Sequence, residues 1–167
     1  MTVAIVRMTE DHIASFHATL DAVARERKYL AFLAAPPLEA TRAFVLGNMA
    51  KGAPQFVAIA GAEVVGWCDI TPIDRPIDAH CGTLGMGLLS AYRGQGLGKA
   101  LIETAVADAF RIGLTRVELA VHASNARAYA LYERVGFERE GVKRKAVRID
   151  GRYEDVIMMA WLNESTP

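Results

Sequence analysis

Only two cysteines, Cys68 and Cys81, stand among 167 residues. Neither belongs to a C-x-x-C cluster, so two buried, reduced thiols are expected in place of a disulfide framework or a cysteine-based metal site. Long apolar runs are missing too: no stretch approaches the roughly 18 residues that a membrane-crossing helix needs. Charge of either sign is not in excess. Nineteen basic and nineteen acidic side chains cancel, which leaves no bulk attraction to nucleic acid or an anionic membrane and confines any cationic patch to a local feature. Residues 1–7 carry neither a basic leader region nor a long apolar segment, so no secretory signal is expected and a cytoplasmic location is. No repeat, low-complexity tract or interdomain linker interrupts the chain. At 52% hydrophobic and 23% charged the composition excludes a disordered chain, and the length fits one domain over residues 1–167.

What is present is organised around residues 88–101, where a hydrophobic strand runs through a glycine-rich turn directly into a helix. Gly94, Gly96 and Gly98 have no Cβ, so the backbone can take positive φ and a ligand can approach its N–H groups closely. Those groups are also the unpaired donors of the next helix's first turn, whose dipole favours an anion by about 0.3–1 kcal/mol. Arg93 and Lys99 flank the turn, and Gln95 and Leu97 lie within it. Two familiar phosphate loops do not fit these letters. A Walker A alignment on Gly98-Lys99 puts Arg93 where its first glycine belongs and Ala100 where its magnesium-binding hydroxyl belongs; every G-x-G-x-x-G register ends on a non-glycine residue. Arg-x-x-Gly-x-Gly remains, carried by Arg93, Gly96 and Gly98.

A β-rich run over residues 3–8 leads to Thr9-Glu10-Asp11, a helix start with acids in its first turn. Ile13, Phe16, Leu20 and Val23 then recur at helical spacing to about residue 25. The apolar segment from Tyr29 to Pro37 ends in a double proline and reads as a loop or short turn. A second helix fits Leu38 to Met49, with Phe44 and Val45 expected inward and Gly47 or Gly52 near its end. Residues 55–60 and 64–70 are strands joined through Gly61-Ala62-Glu63; residues 72–78 are a loop, and 80–88 the strand that feeds the glycine turn. In the following helix Ile102, Ala105, Val106 and Ala109 share one side, whereas Lys99, Glu103, Asp108 and Arg111 are expected elsewhere. Strand 116–122 then implies a parallel pair with a right-handed crossover. Ser124 or Asn125 caps a helix ending at Gly136, on which Ala128, Leu131, Tyr132 and Val135 face inward. Two strands around Asp150-Gly151, a strong hairpin signal, close the chain.

The turn at Arg93–Gly98 and the segment from Asn125 to Phe137, with Asn125, Ala128, Leu131, Tyr132, Gly136 and Phe137 on an N-x-x-A-x-x-[LF]-Y-x-x-x-G-F pattern, resemble the GNAT (Gcn5-related) N-acetyltransferases. The element order extends the likeness over nearly the whole chain. Residues 140–155, with Glu140-Gly141, Lys143 or Arg144, Asp150-Gly151, Tyr153 and Asp155, resemble the bacterial amino-acid and phosphinothricin-type branch. The resemblance implies an α/β (α+β) fold: a mixed, mostly antiparallel sheet with helices on both faces and a central parallel strand pair splayed into an acetyl-CoA slot.

It also implies roles. Acetyl-CoA is the expected co-substrate, its pantetheine arm paired along Met86, Gly87 and Leu88, its pyrophosphate on the amides from Gly94 to Lys99, with Asn125 and Ala128 on the far side of the slot and no metal. A main-chain N–H near Leu88 is placed to polarise the thioester carbonyl. Tyr132, with an ordinary pKa near 10 against about 8.5 for a thiol, is the expected general acid for the leaving thiolate. The general base stays open. The strand from His80 to Met86 lacks the carboxylate that many relatives carry, leaving His80, His122, Asp69, Glu26 or water. Tyr29, Phe32 and Trp67 are expected at the acceptor, a small primary amine such as an amino acid. A protein N-terminus or polyamine as acceptor, and a non-catalytic acyl-CoA-binding module, remain as alternatives; dimers are common in the family, so a homodimer is among the expected assemblies.

Overall fold

The computed structural model describes residues 2–165. Seven strands form one sheet in the order β1-β2-β3-β4-β5-β7-β6. They are β1 (Val3–Arg7), β2 (Gln55–Ala60), β3 (Glu63–Pro72), β4 (Cys81–Leu88), β5 (Arg116–His122), β6 (Glu138–Ile149) and β7 (Arg152–Leu162). All neighbours are antiparallel except β4 and β5. This is the mixed sheet expected, with the parallel pair at its centre.

Side-chain alternation divides the core in two. On one face α3 (Leu97–Arg111) and α4 (Ala126–Val135) pack Leu101, Ile102, Ala105, Tyr132 and Val135 against Cys68, Ile70, Leu84, Val117 and Leu119. On the other, α1 (Ile13–Ala24) and α2 (Leu38–Ala50) pack Ile13, Phe16, Val23 and Val45 against Val57, Val64 and Trp67. A fully buried side chain such as Leu101 or Ile102 contributes about 1.5–3 kcal/mol relative to leaving it in water. Between Ala58 and Ile59 the pairing with β3 slips by one residue, with Val65 as the extra one. The bulge reverses the alternation, so that Val64 and Trp67, three apart, both face α1.

Three details depart from the pattern expected. The first turn of the leading helix is a 3-10 turn over Glu10–His12, with the Thr9 N–H donating to His12 Nδ1 at 3.0 Å, before α1 begins at Ile13. Phe44 points outward and is 42% exposed, because the buried stripe of α2 runs Thr41, Val45, Asn48 and leaves Phe44 one helical step round from Val45. Asp108 is buried, not solvated: Arg7 of β1 donates to it at 2.8 Å and Arg111 at 2.7 Å. Burial by itself would raise that carboxyl, but the two guanidinia outweigh it and hold it below the usual range. The closing hairpin turns at Asp150 and Gly151 with φ of 50° and 78°, as a two-residue turn of the primed type requires.

Candidate active site between the fourth and fifth strands

β4 and β5 pair over three residues only, Cys81, Gly82 and Thr83 with Arg116, Val117 and Glu118. Beyond Thr83 the strands part, and a cavity of about 440 Å³ occupies the gap. Its walls are Met86, Gly87 and Leu88 of β4 and Ala120 and Val121 of β5, with Ala128, Leu131 and Tyr132 of α4 beneath. The Leu89 N–H turns to β3, donating to the Val65 carbonyl at 2.9 Å. Alternation therefore sends the Leu88 N–H the other way, toward the space β5 has left.

At one rim the chain leaves β4 through Gly94 and Gly96, with φ of 76° and 83°, and enters α3. Gly96 is the N-cap, with no side-chain cap bond, so the first-turn N–H groups of α3 remain free of intrahelical partners. Gly98 is buried where a Cβ would stand 3.1 Å from Leu131 Cδ2, which lets α3 seat against α4 at the slot. Gly94, Gly96, Gly98 and Lys99 all border the cavity. Gln95 donates its side-chain amide to the Ala91 carbonyl, and Leu97 opens α3; neither side chain lines the space.

Arg93 borders the cavity, but its charge is engaged within the protein. The guanidinium grips both carboxylate oxygens of Glu26, donates to the Leu88 carbonyl at 2.8 and 3.0 Å, and lies 4.9 Å from the Tyr29 ring centroid. Two cations not singled out from the sequence border the cavity as well: Arg127 and Arg134 of α4. The Arg127 Nη2 atom lies 2.8 Å from where a Gly94 Cβ would be, so the absence of a side chain there admits the guanidinium over the turn. The sequence carries no local signal for these two charges, although Asn125 and Ala128 of the same helix are expected at the slot.

Asn125 caps α4, its side-chain oxygen accepting from the Ala128 N–H at 3.2 Å. This places the cap residue and the first turn of α4 at the slot, and Tyr132 nearly two turns further in. The Tyr132 ring is 8% exposed and meets Phe137 edge-on at 5.7 Å. Burial pushes its phenol up, with a smaller contribution from Cys68, so the group is a neutral donor throughout the ordinary pH range.

The acceptor-side residues separate. Tyr29 lines the cavity, whereas Phe32 is 47% exposed on the link between α1 and α2. Trp67 is 4% exposed, set edge-on to Phe16 at 5.5 Å, with its ring against the bare Gly87, so it supports β4 from the α1 side. The α1–α2 link is tied to the β6–β7 turn by Arg27, which donates to both Asp150 oxygens at 2.7 and 3.0 Å beside a second hollow of about 450 Å³. Among the four side chains considered as base, Glu26 is committed to Arg93. His80 sits at the closed end of the pair, its carbonyl taking the Thr115 N–H. His122 is 7% exposed, with Nδ1 unbonded and 4.0 Å from a Glu154 oxygen. Asp69, on β3 opposite Gly85, is partly buried, and burial pushes its carboxyl up to about 7.

The Acetyltransferase (GNAT) family model matches residues 17–137. The chain is 32% identical to the L-amino acid N-acetyltransferase AaaT of Escherichia coli over 110 residues, 65% of this chain and 68% of that one. It is 44% identical to the E. coli [ribosomal protein bS18]-alanine N-acetyltransferase over 70 residues, 41% of this chain and 47% of the relative. In fold it is similar to a phosphinothricin acetyltransferase from Sinorhizobium meliloti in complex with acetyl-CoA, with a TM-score of 0.92 at 20% identity over 99% of this chain and 91% of the other. No helix among the described residues is long and apolar enough to cross a membrane.

Proposed function

The chain belongs to the acetyltransferase (GNAT) family, and on that premise we propose that it transfers the acetyl group of acetyl-CoA to the primary amine of a small acceptor, such as a free amino acid, by direct attack. The observation that carries the reading is the gap between β4 and β5, with the glycine turn of α3 at one rim and the Tyr132 phenol on the wall below. Positive φ at Gly94 and Gly96 and free first-turn N–H groups suit a pyrophosphate. Arg127 and Lys99 add charge at the same rim, and the exposed peptide edge of β4 suits an amide-bearing arm.

The co-substrate supplies an activated thioester; the residues of this chain hold it, polarise it and move protons. The Leu88 N–H, turned into the gap, suits a carbonyl oxygen on which negative charge grows, a contribution worth about 2.7–4 kcal/mol when such a donor is well placed. The Tyr132 hydroxyl, buried and neutral, donates its proton to the sulfur as the C–S bond breaks. The acceptor enters from the α1 side, between Tyr29 on the link and the β6–β7 turn that Arg27 and Asp150 hold to it. The likeness to the E. coli amino-acid enzyme favours a free amino acid; the higher identity to the bS18-alanine enzyme over a shorter stretch makes a protein N-terminus the second reading.

Thiol release from acetyl-CoA, measured with free amino acids, spermidine and an alanyl peptide in parallel, tests the assignment. Turnover with one or a few free amino acids is expected. Turnover confined to the peptide or to spermidine moves the acceptor. Failure to bind acetyl-CoA by calorimetry would remove the slot from the account.

A further inference from the structure

We propose that Asp69 is the proton acceptor for the incoming amine, receiving one proton from its ammonium form across the face of β4 that Gly85 leaves without a side chain. The inference rests on the acetyltransferase reading and adds to it the one role that the glycine-rich strand left unassigned.

The placement follows from alternation along β3. Cys68 and Ile70 enter the core under α3, so Trp67, Asp69 and Thr71 face the side of α1 and α2, where Trp67 packs. On β4 the residues paired with Trp67 and Asp69 are Gly87 and Gly85. Trp67 fills the space over Gly87; over Gly85 the Asp69 carboxylate is the neighbour, 3.5 Å from where a Cβ would be. Any side chain at 85 would stand between that carboxylate and the sheet edge. Gly85 and Gly87 are about 7 Å apart along the strand, so a proton passes from an amine at the wall formed by Met86, Gly87 and Leu88 to the carboxylate over Gly85 by way of bridging water. Thr83, next on the same face of β4, is exposed, which leaves this side open to an acceptor.

Polar side chains surround Asp69, but no charge among the described residues commits it. β2 offers Gln55, whose side-chain amide donates to the Val45 carbonyl. α2 turns Thr41, Val45 and Asn48 inward, the last donating to Thr71 Oγ1. α1 sends Phe16 and Thr19 toward β3, Thr19 bonded to the Val64 carbonyl. Beyond β4, Glu118 of β5 is held by Arg116. With neither a cation nor a hydrogen-bond donor among the described residues to stabilise the carboxylate, burial pushes the carboxyl up to about 7, where a general base works near neutral pH.

In the balanced step, an ammonium R–NH3⁺ loses one proton to the Asp69 carboxylate, giving R–NH2 and a neutral carboxyl. The nitrogen then bonds to the thioester carbon and loses a second proton, the C–S bond breaks, and sulfur takes the Tyr132 proton, which that second proton replaces. Asp69 returns its proton to solvent.

The test uses the full chain, acetyl-CoA and the best acceptor from the panel above, with thiol release followed from about pH 5.5 to 9. Asp69→Asn should lower kcat/KM about 10²–10⁴-fold and abolish the rise of kcat/KM centred near pH 7, with acetyl-CoA affinity by calorimetry and the melting transition retained. Carbon-13 spectra of aspartate-labelled protein should show one carboxyl titrating near 7, absent from the variant. A variant that keeps its rate and pH profile, a carboxyl in the ordinary range, or loss of the limb in His122→Gln but not in Asp69→Asn each overturns the proposal. Should the parent release no thiol with any amine, the proposal falls together with the acceptor reading; thiol release by the parent with an unaffected Asp69→Asn variant sinks the proposal alone.

Discussion

Arg93 and Glu26 meet as a fork on a carboxylate, Nη1 2.9 Å from Oε2 with Nη2 on Oε1, where the end of α1 reaches the glycine turn. Their side chains are 20% and 30% exposed, and the same guanidinium caps the Leu88 carbonyl. One residue thus joins the acceptor-side link, the end of β4 and the rim of the slot.

Glu26→Gln keeps the volume and removes the charge, leaving Arg93 without its counter-ion. A stability loss of about 1–3 kcal/mol is expected, between the values of exposed and buried pairs. Because Glu26 heads the link that carries Tyr29, the KM for the acceptor should rise more than that for acetyl-CoA. Thermal melts with steady-state kinetics in both substrates check this; equal KM values would disconnect the pair from the acceptor.

Gly96→Val tests the cradle. Gly96 has φ of 83° and nothing within 4 Å of where a Cβ would stand, so the substitution meets strain of about 1–3 kcal/mol but no clash inside the protein. A cooperative melt at lower temperature with acetyl-CoA binding weakened at least about tenfold, roughly 1.4 kcal/mol, is the expected calorimetric result. Unchanged affinity in the folded variant would move the pyrophosphate elsewhere.

Tyr132→Phe should lower kcat by about 10²–10⁴-fold while acetyl-CoA affinity changes little, since the phenol's contact with a ground-state sulfur is weak. The edge-on contact with Phe137 survives the change, so the fold should persist. Full turnover in a chemistry-limited assay would make water the proton source.

Asp69 also shapes stability. Its folded pKa, raised by burial from 3.8 to about 7, means the folded state holds a proton that the unfolded chain gives up over that interval. Stability from this group is therefore full below about pH 4 and lost as pH rises through 7. Asp69→Asn, which does not ionise, should melt progressively higher relative to the parent as pH rises from about 4 to 7, with the difference level above that. A melting difference independent of pH would show that the carboxyl titrates alike in both states.

The turn after β4, the cap at Asn125 and the inward face of α4 are legible in the sequence because each is local: glycine spacing, a capping side chain and a helical period lie within one stretch of chain. The engagement of Arg93 is not, since its partner Glu26 is 67 residues away and nothing near either residue announces the other. Asp108 misleads for the same reason, its burial depending on Arg7 from the first strand. Phe44 shows a different limit. In a helix with hydrophobic residues on more than one side, one polar stripe of Thr41 and Asn48 around Val45 takes the buried place because Asn48 and Gln55 find bonds there. The resemblance to the family puts Trp67 at the acceptor, and the one-residue slip at Val65 that turns Val64 and Trp67 together toward α1 leaves no mark in composition.

Three residue pairs alone fasten β4 to β5, while past them the strands are kept apart by what lies beneath. That makes the sheet a pair of tongs joined up to Thr83, with Gly98 of α3 resting on Leu131 of α4 beneath the open jaws. A single methyl at 98, 3.1 Å from Leu131 Cδ2, would act as a wedge at the end of a lever. Its effect should surface as a changed gap at Met86–Leu88, well away from the atom added.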